Sequence, residues 1–309
     1  MRIAFLGTPE FAVPSLQMLI DHGHTLTVFS QPDRPAGRHG AVLPTPVKAL
    51  ALQHGIPVRQ FDKIRSPEGV AALRDFGPDL MVTAAFGQLL SAENLSIPRI
   101  GCINVHGSLL PKYRGAAPIQ WSVINGDRVT GVTTMFTDIG MDTGDILLRE
   151  ETAIGPDETA GELYERLAVI GARVLERTMD ALERNQLKRI PQEEAQATKC
   201  TMLKKEHGKL DFAQTAQQVH DRVRGVNPWP GAFALLPDGA VLKIWETRMS
   251  DDWTVALPVG MCTGDAKTGL FVQCADGLLE ITELQAPGGK RLEGKAFLRG
   301  KPLAGQVLA

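Results

Sequence analysis

Short apolar runs alternate with amphipathic segments along the first part of the chain. Residues 2–7 and 25–29 are apolar runs, and a segment with helical spacing lies between them at residues 8–22. Strand, helix and strand within about 30 residues form a βαβ unit, which requires parallel strands. Further apolar runs at 79–86 and 101–105 suit strands buried on both faces. The pattern therefore predicts an open, mostly parallel α/β sheet.

Three further segments predict helices, and one predicts a long loop. Helical spacing of apolar residues, or proline at the first position, predicts helices at 46–54, 67–76 and 158–187. Residues 31–44 contain three prolines, two glycines and few apolar side chains. Loops of this length are usually functional or disordered, and composition alone leaves both interpretations open.

The pattern changes in the last third of the chain. Residues 192–198 are polar without periodicity and predict the start of a linker, and residues 212–224 predict a helix. Short alternating runs separated by turn residues follow at 233–236, 241–245, 269–273 and 278–284. Such closely spaced short strands are typical of a small β-barrel. We therefore expect an α/β domain over 1–189, a linker over 190–209 and a barrel domain over 210–309.

Composition narrows the function classes. A length of 309 residues and a hydrophobic content of 43% suit about two ordinary domains. The net charge of −2 excludes a protein that is basic overall, so a nucleic acid would have to bind to local basic stretches. There is no apolar run of about 18 residues and no signal peptide. We therefore expect a cytoplasmic protein without a membrane partner.

The spacing of cysteine and histidine argues against a metal. The four cysteines are Cys102, Cys200, Cys262 and Cys274, and they form no C-x-x-C pair. The seven histidines show no H-E-x-x-H spacing. We therefore expect neither a metal site nor a disulfide framework.

Candidate catalytic residues lie at the end of the strand predicted at 101–105 and in a later loop. Asn104 and His106 are two residues apart, so their side chains point to the same face of a strand. Asp142 follows in a glycine-punctuated loop after the next predicted strand. Taken singly, each residue type is more often structural, as a hydrogen-bonded histidine or as a turn-forming asparagine or aspartate. The order of the surrounding motifs changes that interpretation.

Four ordered motifs resemble the signature of enzymes that use 10-formyltetrahydrofolate, and within them the methionyl-tRNA formyltransferase family. The motifs are Asn104-Val-His106, Ser108-Leu-Leu-Pro111, Arg114-Gly-Ala-Ala-Pro-Ile-Gln120 and Asp142-Thr-Gly-Asp145. The resemblance extends from Arg2 to about Leu303. It implies a Rossmann-like formyltransferase domain and an OB-like barrel. It also implies formyl transfer to the α-amino group of methionine on initiator tRNA, which enables translation initiation.

The resemblance implies a set of site residues. Asn104, His106 and Asp142 would be catalytic. The co-substrate 10-formyltetrahydrofolate would be held at the carboxyl ends of the strands, where open α/β sheets bind ligands. The residues implied for it are Phe86, Gly87, Gln88, Leu89, Leu90, Ser108, Leu109, Leu110, Pro111 and Asp138. Ser108 is not expected to act as a nucleophile, because no G-x-S-x-G elbow surrounds it.

Initiator methionyl-tRNA is the implied macromolecular partner of a protein that we expect to be a monomer. In this family a loop like residues 31–44 enters the acceptor region of the tRNA. The residues implied for RNA binding are Arg34, Arg38, Lys204, Lys205, Lys209, Lys290, Arg291 and Lys295. Residues 39–42 lack the lysines that relatives often carry there, which makes the loop less basic. Binding through such phosphate contacts should weaken with salt.

The implied reaction sets three chemical requirements. Attack of the amine on the formyl carbon creates an oxyanion that needs a donor, and the reaction also needs a base and a proton for the leaving N10. Asn104 supplies an amide donor. His106 can donate to the oxyanion or move the proton, and Asp142 can orient the imidazole or accept a proton through a water. The sequence leaves open which of these two residues is the base. No covalent enzyme intermediate is needed, because the amine is itself a good nucleophile.

Related enzymes share the Asn-His-Asp trio and stand as alternatives. One formylates glycinamide ribonucleotide, one formylates an amino-sugar nucleotide, and one hydrolyses formyltetrahydrofolate. The first is usually a single domain, so residues 210–309 argue against it, whereas the sugar-nucleotide enzyme shares the C-terminal domain. The stretch Gln31-Pro-Asp-Arg-Pro-Ala-Gly37 favours the tRNA enzyme. The intact trio argues against another alternative, a non-catalytic RNA-binding protein on the same scaffold.

Overall fold

A computed structural model describes residues 1–36, 41–251, 257–300 and 303–309. Arg38, which the sequence analysis assigns to RNA binding, lies outside the described residues. The backbone groups into two units. The first comprises residues 1–118, 130–153 and 164–200, and the second comprises residues 119–129, 154–163 and 201–309.

Within the described part of the first 200 residues there are eleven strands and six α-helices. The strands are β1 (Arg2–Gly7), β2 (Thr25–Ser30), β3 (Arg34–Ala36), β4 (Ala41–Leu43), β5 (Val58–Gln60), β6 (Leu80–Ala84), β7 (Gly101–His106), β8 (Arg114–Gly115), β9 (Val129–Phe136), β10 (Ile146–Ala153) and β11 (Lys199–Cys200). The helices are α1 (Val13–Asp21), α2 (Pro46–Gln53), α3 (Pro67–Phe76), α4 (Ala92–Leu95), α5 (Pro118–Ile124) and α6 (Ala160–Glu183).

A seven-stranded sheet forms the centre of the first unit, in the order β10-β9-β7-β6-β1-β2-β5. The five strands from β7 to β5 in this order run parallel, and β9 is antiparallel to β7. The carboxyl ends of the parallel strands therefore lie at one end of the sheet, where ligands bind in such folds. The predicted open, mostly parallel sheet is confirmed.

Local sequence signals explain the element boundaries. Ser66 caps α3 by accepting a hydrogen bond from the Gly69 amide at 3.3 Å, and Pro67 takes the first helical position, where no N–H is needed. Gly77 ends the helix in the left-handed conformation, with φ of 60°. Strand β6 is buried throughout, which agrees with its uninterrupted apolar run.

Residues 31–44 contain a short antiparallel pair of strands, β3 and β4, where the sequence predicts a long loop. Arg34 pairs with Leu43, and Pro35 pairs with Val42. A two-stranded ladder has an open edge on each strand, so it tolerates a proline that lacks the N–H donor. Because its prolines indicate a loop, the segment was not predicted to contain strands.

The second unit contains an antiparallel sheet. The α-helices and strands described after residue 200 are α7 (Ala216–Gly225), β12 (Ala232–Leu235), β13 (Val241–Met249), β14 (Cys262–Asp265), β15 (Gly269–Gln273), β16 (Leu278–Gln285), β17 (Arg291–Glu293) and α8 (Gly294–Gly300). The order is β12-β13-β16-β15-β14, with β17 also paired to β16, and the strand pairs are antiparallel. This sheet confirms the predicted fold class. Strands β14 and β17 and helix α8 were not predicted, because their short segments show no clear alternation.

Candidate active site

Asn104 lies near the carboxyl end of β7, directly opposite Thr83 of the neighbouring strand β6. The Thr83 hydroxyl donates to Oδ1 of Asn104 over 2.8 Å. Because Oδ1 is occupied in this way, the amide offers Nδ2 as the donor toward a ligand. The register of two strands thus fixes a hydrogen-bond donor at this end of the sheet.

His106 is the last residue of β7 and is 6% exposed. Its Nε2 lies 3.0 Å from the carbonyl oxygen of Tyr113, and a carbonyl can only accept, so Nε2 carries the hydrogen. Its Nδ1 lies 3.8 Å from Oδ2 of Asp142. That separation suits an ion pair and exceeds a direct hydrogen bond. The imidazole therefore has one nitrogen fixed on the backbone and the other facing a carboxylate.

Asp142 is held from two sides. The Gly115 amide donates to Oδ2 of Asp142 over 2.8 Å. The Gln192 side chain donates to the carbonyl oxygens of Asp142 and Gly144, each over 2.8 Å. Asp142 itself has φ of 54°, in the left-handed region that aspartate tolerates better than most residues. These contacts fix the backbone of the loop and the direction of the carboxylate.

A buried arginine supports this loop through Gln192. Arg114 is 2% exposed, and its Nε donates to Oε1 of Gln192 over 3.0 Å. Its Nη1 donates to both carboxylate oxygens of Glu194, at 3.0 and 2.9 Å. Because Arg114 occupies the amide oxygen of Gln192, the amide nitrogen is directed at the Asp142 loop.

Strands β8 and β11 approach each other so closely that only glycine fits at position 115. Gly115 has φ of 127°, and a Cβ there would lie 2.1 Å from the Cys200 carbonyl oxygen. The Cys200 thiol lies 3.4 Å from the Tyr113 carbonyl oxygen that also accepts from His106. Burial raises the pKa of the Cys200 thiol, so the thiol remains a donor to this carbonyl at neutral pH.

The turn after β6 contains the first residues that the sequence analysis assigns to folate. Phe86 is 5% exposed, and its carbonyl oxygen accepts from Thr8 Oγ1 at 3.1 Å and from Gln31 Nε2 at 3.0 Å. Gly87 has φ of 76°. The backbone of the turn is therefore fixed from the ends of β1 and β2.

The remaining residues of this turn differ in exposure. The Gln88 amide accepts from the Ile64 backbone N–H at 2.6 Å and donates to the Phe61 carbonyl oxygen at 2.8 Å. Leu90 packs against the core, whereas Leu89 is 64% exposed. Gln88 thus holds a neighbouring segment, and Leu89 presents an apolar surface at the end of the sheet.

The segment 108–111 is mostly buried. Ser108 is fully buried, and its hydroxyl donates to the Lys112 carbonyl oxygen over 2.6 Å. Leu110 is also fully buried, Pro111 is buried and Leu109 is half-buried. The Ser108 hydroxyl is therefore engaged with the backbone of its own loop.

Asp138 lies on the exposed loop after β9. One carboxylate oxygen, Oδ1, accepts from the Gly140 amide at 3.1 Å and from the Thr143 hydroxyl at 2.6 Å. This Asx-type arrangement shapes the loop that carries Asp142. The other carboxylate oxygen has no role in these two bonds.

The cations assigned to RNA that fall within the described ranges are exposed. They are Arg34, Lys204, Lys205, Lys209, Lys290, Arg291 and Lys295. Arg34 belongs to the first unit and the other six to the second. The Arg291 guanidinium stacks on Trp245, 3.6 Å from the ring centroid, and also pairs with Glu283 at 3.3 Å. The stack orients this cation on the surface of the second unit.

Several residues that hold the site were not predicted from the sequence, among them Thr83, Tyr113, Gly115 and Gln192. A polar residue within the apolar run at 79–86 was the available signal for Thr83. The glycine of the Arg114-Gly-Ala-Ala motif was the signal for a close backbone approach at Gly115. Tyr113 acts through its carbonyl group, and Gln192 lies in a polar segment, so neither carried a signal.

Within the described ranges, no group of three or more His, Cys, Asp or Glu side chains is placed to hold a metal ion. In that same part of the chain, no helix is long and apolar enough to cross a membrane. The four cysteines are buried free thiols.

Comparison with known proteins identifies the family. The formyl transferase family matches residues 1–179, and the C-terminal domain of formyl transferases matches residues 202–302. The chain belongs to the formyl transferase family. It is therefore an enzyme that transfers a one-carbon group.

Relatives of this formyl transferase match it over their whole length. The methionyl-tRNA formyltransferase of Ruminiclostridium cellulolyticum is 48% identical, over 98% of this chain and 97% of its own. That of Geotalea uraniireducens is 49% identical, over 100% of this chain and 98% of its own. An N-formyltransferase structure from Helicobacter canadensis, in complex with folinic acid and dTDP-3-aminofucose, has a TM-score of 0.68. It covers 94% of this chain and 99% of that one at 17% identity, which supports the fold.

Proposed function

We propose that this formyl transferase moves the formyl group of 10-formyltetrahydrofolate to the α-amino group of methionine on initiator methionyl-tRNA. One observation supports the choice of methionyl-tRNA as the acceptor. Relatives named methionyl-tRNA formyltransferase are 48% identical over 98% of this chain, whereas the N-formyltransferase complexed with dTDP-3-aminofucose is only 17% identical over 94% of it. A likeness limited to the first unit would support formyl transfer without indicating the acceptor.

Asn104 stabilises the charge that develops during the transfer. Attack by the amine makes the formyl oxygen negative, and the Nδ2 donor of Asn104 is already oriented by Thr83. An uncharged donor suits a charge that appears only in the transition state. Removing one such donor typically costs ~10²–10³ in rate.

The pair formed by His106 and Asp142 takes up the proton that the amine loses. Since Nε2 donates to the Tyr113 carbonyl, Nδ1 is the nitrogen through which His106 exchanges a proton. Nδ1 faces the Asp142 carboxylate, and this carboxylate balances the charge of the protonated ring. We therefore assign the base role to the pair, with Asp142 as its anion.

The turn at 86–90 is the first part of the proposed folate site. When bound, the folate supplies the formyl group on its N10. The fixed Phe86 backbone and the exposed Leu89 side chain provide a preorganised, partly apolar surface for a flat ring. The other residues assigned to folate are residues 108–111 and Asp138. Within residues 108–111, a ligand can reach the half-buried Leu109 most directly, and Asp138 is exposed.

The exposed cations of both units suit an RNA acceptor. Arg34 and the six cations of the second unit are exposed, although the chain as a whole has a net charge of −2. Lysine and arginine that contact phosphate release counterions, so the affinity for tRNA should fall steeply as salt rises. The affinity for folate should depend on salt much less.

The test is transfer of labelled formyl from 10-formyltetrahydrofolate to methionyl initiator tRNA. Uncharged tRNA, an amino-sugar nucleotide and glycinamide ribonucleotide serve as parallel acceptors. We expect label on the methionyl-tRNA alone. Label on the amino-sugar nucleotide, or no label on methionyl-tRNA, would overturn the proposed acceptor. Release of free formate without any acceptor would indicate a hydrolase instead.

A further inference from the structure

The segment that carries β3 and β4 begins and ends at two residues that are joined by a hydrogen bond, Ser30 and Thr45. Ser30, the last residue of β2, has its hydroxyl 2.7 Å from the hydroxyl of Thr45. Thr45 is also the N-cap of α2, because its hydroxyl accepts from the Lys48 amide at 3.3 Å. Both ends of the segment 31–44 are therefore joined to regular elements of the fold.

A polar cluster, which we call the clasp, binds the first end of this segment. It consists of Asp33, Lys48 of α2 and Gln60 of β5. Lys48 forms an ion pair with Oδ2 of Asp33 and donates to Oε1 of Gln60 at 2.8 Å. Gln60 Nε2 donates to Oδ1 of Asp33 at 2.7 Å. Each member of the clasp thus contacts the other two.

The clasp is partly sheltered from water. The side chains of Asp33 and Lys48 are each 21% exposed. Burial by itself raises the pKa of the Asp33 carboxyl, but the hydrogen bonds from Lys48 and Gln60 outweigh it, so this pKa lies below its usual value. Asp33 is therefore an anion at neutral pH, and the ion pair is intact there.

A sheltered polar cluster of this kind fixes the direction of a chain segment more than it stabilises the fold. Desolvation of a sheltered ion pair offsets much of its attraction, and apolar residues of similar size often stabilise a fold equally well. Hydrogen bonds, however, specify the angle at which two segments meet. The clasp therefore accounts for the direction of the chain at Asp33 better than it accounts for the stability of the unit.

This direction decides where the next side chain points. Asp33 is turned inward to Lys48 and Gln60, and Arg34, the first residue of β3, is exposed. Asp33 directly precedes β3, and along a strand successive side chains point to opposite sides. Holding Asp33 inward therefore keeps the Arg34 guanidinium outward.

The clasp is also joined to the turn after β6 through Gln31. Gln60 Nε2 donates to the Gln31 carbonyl oxygen at 2.8 Å, and Gln31 Nε2 donates to the Phe86 carbonyl oxygen at 3.0 Å. A Cβ at position 87 would lie 2.3 Å from Gln31 Nε2, so Gly87 permits this approach. One glutamine thus connects the base of the β3–β4 pair with the proposed folate turn.

We infer that Asp33, Lys48 and Gln60 are positioning residues that direct Arg34 and the β3–β4 pair toward the acceptor RNA, an inference that rests on the function proposed above. They touch neither substrate. They act by fixing the segment that does. Loss of the Asp33–Lys48 ion pair leaves the hydrogen bond from Gln60 to Gln31 in place. It should therefore weaken productive binding of the tRNA and leave the chemistry and the folate site nearly unchanged.

The experiment measures steady-state kinetics of Asp33→Asn, Lys48→Met and their double variant, with tRNA and folate varied in turn. We expect the KM for tRNA to rise about fivefold to tenfold in each single variant, and kcat and the KM for folate to stay within about twofold. The double variant should resemble the worse single variant, because both changes remove the same ion pair. Asp33→Asn retains an oxygen for Gln60, so it is the variant of choice if Lys48→Met folds poorly.

Glu150→Gln provides a matched control. Glu150 is an equally exposed carboxylate, at 21%, and it pairs with Arg173 and Arg177 instead of the clasp. This variant should leave both KM values unchanged. A second control combines Lys48→Met with Arg34→Ala, and the clasp change should then add little, since the residue that it directs is gone.

Three results would overturn the inference. The first is an unchanged KM for tRNA in clasp variants whose melting temperature matches the wild type. The second is an equal rise of both KM values, which would indicate a general disturbance of the unit. The third is full additivity with Arg34→Ala. If the wild-type protein does not formylate methionyl-tRNA at all, the proposed function fails, and this inference fails with it.

Discussion

The Thr83 hydroxyl donates a 2.8 Å hydrogen bond to Oδ1 of Asn104. The two residues face each other across the parallel strands β6 and β7, and Thr83 is only 7% exposed. An amide side chain is otherwise free to exchange its oxygen and nitrogen ends by rotation. Thr83 therefore selects the orientation in which Asn104 presents a donor.

Thr83→Val should lower kcat about tenfold with little change in either KM. Valine has nearly the same shape but no donor, so the Asn104 amide loses its preferred orientation, whereas Asn104→Ala should cost ~10²–10³ in kcat. Steady-state kinetics measure both. Thr178→Val is the matched control, because it also removes a buried hydroxyl, one that is hydrogen-bonded to Val174 and Thr134. Equal kcat losses in Thr83→Val and Thr178→Val would refute an orienting role.

Asp142→Asn should lower kcat by about 10²- to 10⁴-fold, the usual range for losing a general acid or base. The asparagine oxygen can still accept from the Gly115 amide, so the loop should keep its shape while the charge beside His106 disappears. The measurement is kcat, together with a thermal melt that checks the fold.

Asp145→Asn serves as the control for this loop. Asp145 lies three residues further on and pairs with Arg189 at 2.8 Å, away from His106. Its removal should change kcat by less than about threefold, since an exposed ion pair contributes little. A comparable loss of kcat in both variants would mean that loop distortion, not the Asp142 charge, explains the effect.

The sequence predicted the fold best where the signals are local. The boundaries of α3 follow from Ser66, Pro67 and Gly77, all within or beside the helix, and the apolar run of β6 needs no distant partner to be recognised. The β3–β4 pair was missed because its evidence is the pairing of Arg34 with Leu43, whereas the prolines and glycines of residues 31–44 indicate a loop.

The candidate site divides in the same way. The spacing of Asn104 and His106 predicts that their side chains share one face of a strand, because alternation along one strand is local. The residues that hold the site by hydrogen bonds could not be predicted from local sequence. Thr83, Gly115 and Gln192 are 21, 27 and 50 residues away from the residues that they contact. Those contacts depend on strand order and on the close approach of β8 and β11, and neither follows from residue type.

Ser108→Ala should destabilise the fold and spare the chemistry. The Ser108 hydroxyl is fully buried and donates to the Lys112 carbonyl oxygen, so its removal leaves an unsatisfied acceptor and should cost about 1–3 kcal/mol in the free energy of unfolding. Urea denaturation measures that cost, and kcat should stay within about twofold of the wild type at a temperature where the variant is folded. Loss of kcat in the fully folded variant would instead point to Ser108 as a reacting group.

The free energy of unfolding should fall as the pH rises above about 9. Burial raises the pKa of Cys102 to about 11, and that of Cys262 and Cys274 to about 12, from an ordinary value of 9.0. At a pH between the ordinary pKa of a thiol and its raised pKa in the folded protein, the unfolded chain has lost thiol protons that the folded chain retains. The free energy of unfolding therefore decreases as the pH rises. When it is measured by urea denaturation from pH 8 to 10.5, the free energy of unfolding should decline less steeply with pH in Cys262→Ala than in the wild type. This expectation holds whatever the stability of the variant at pH 8. Identical slopes would show that this thiol does not contribute to alkaline unfolding.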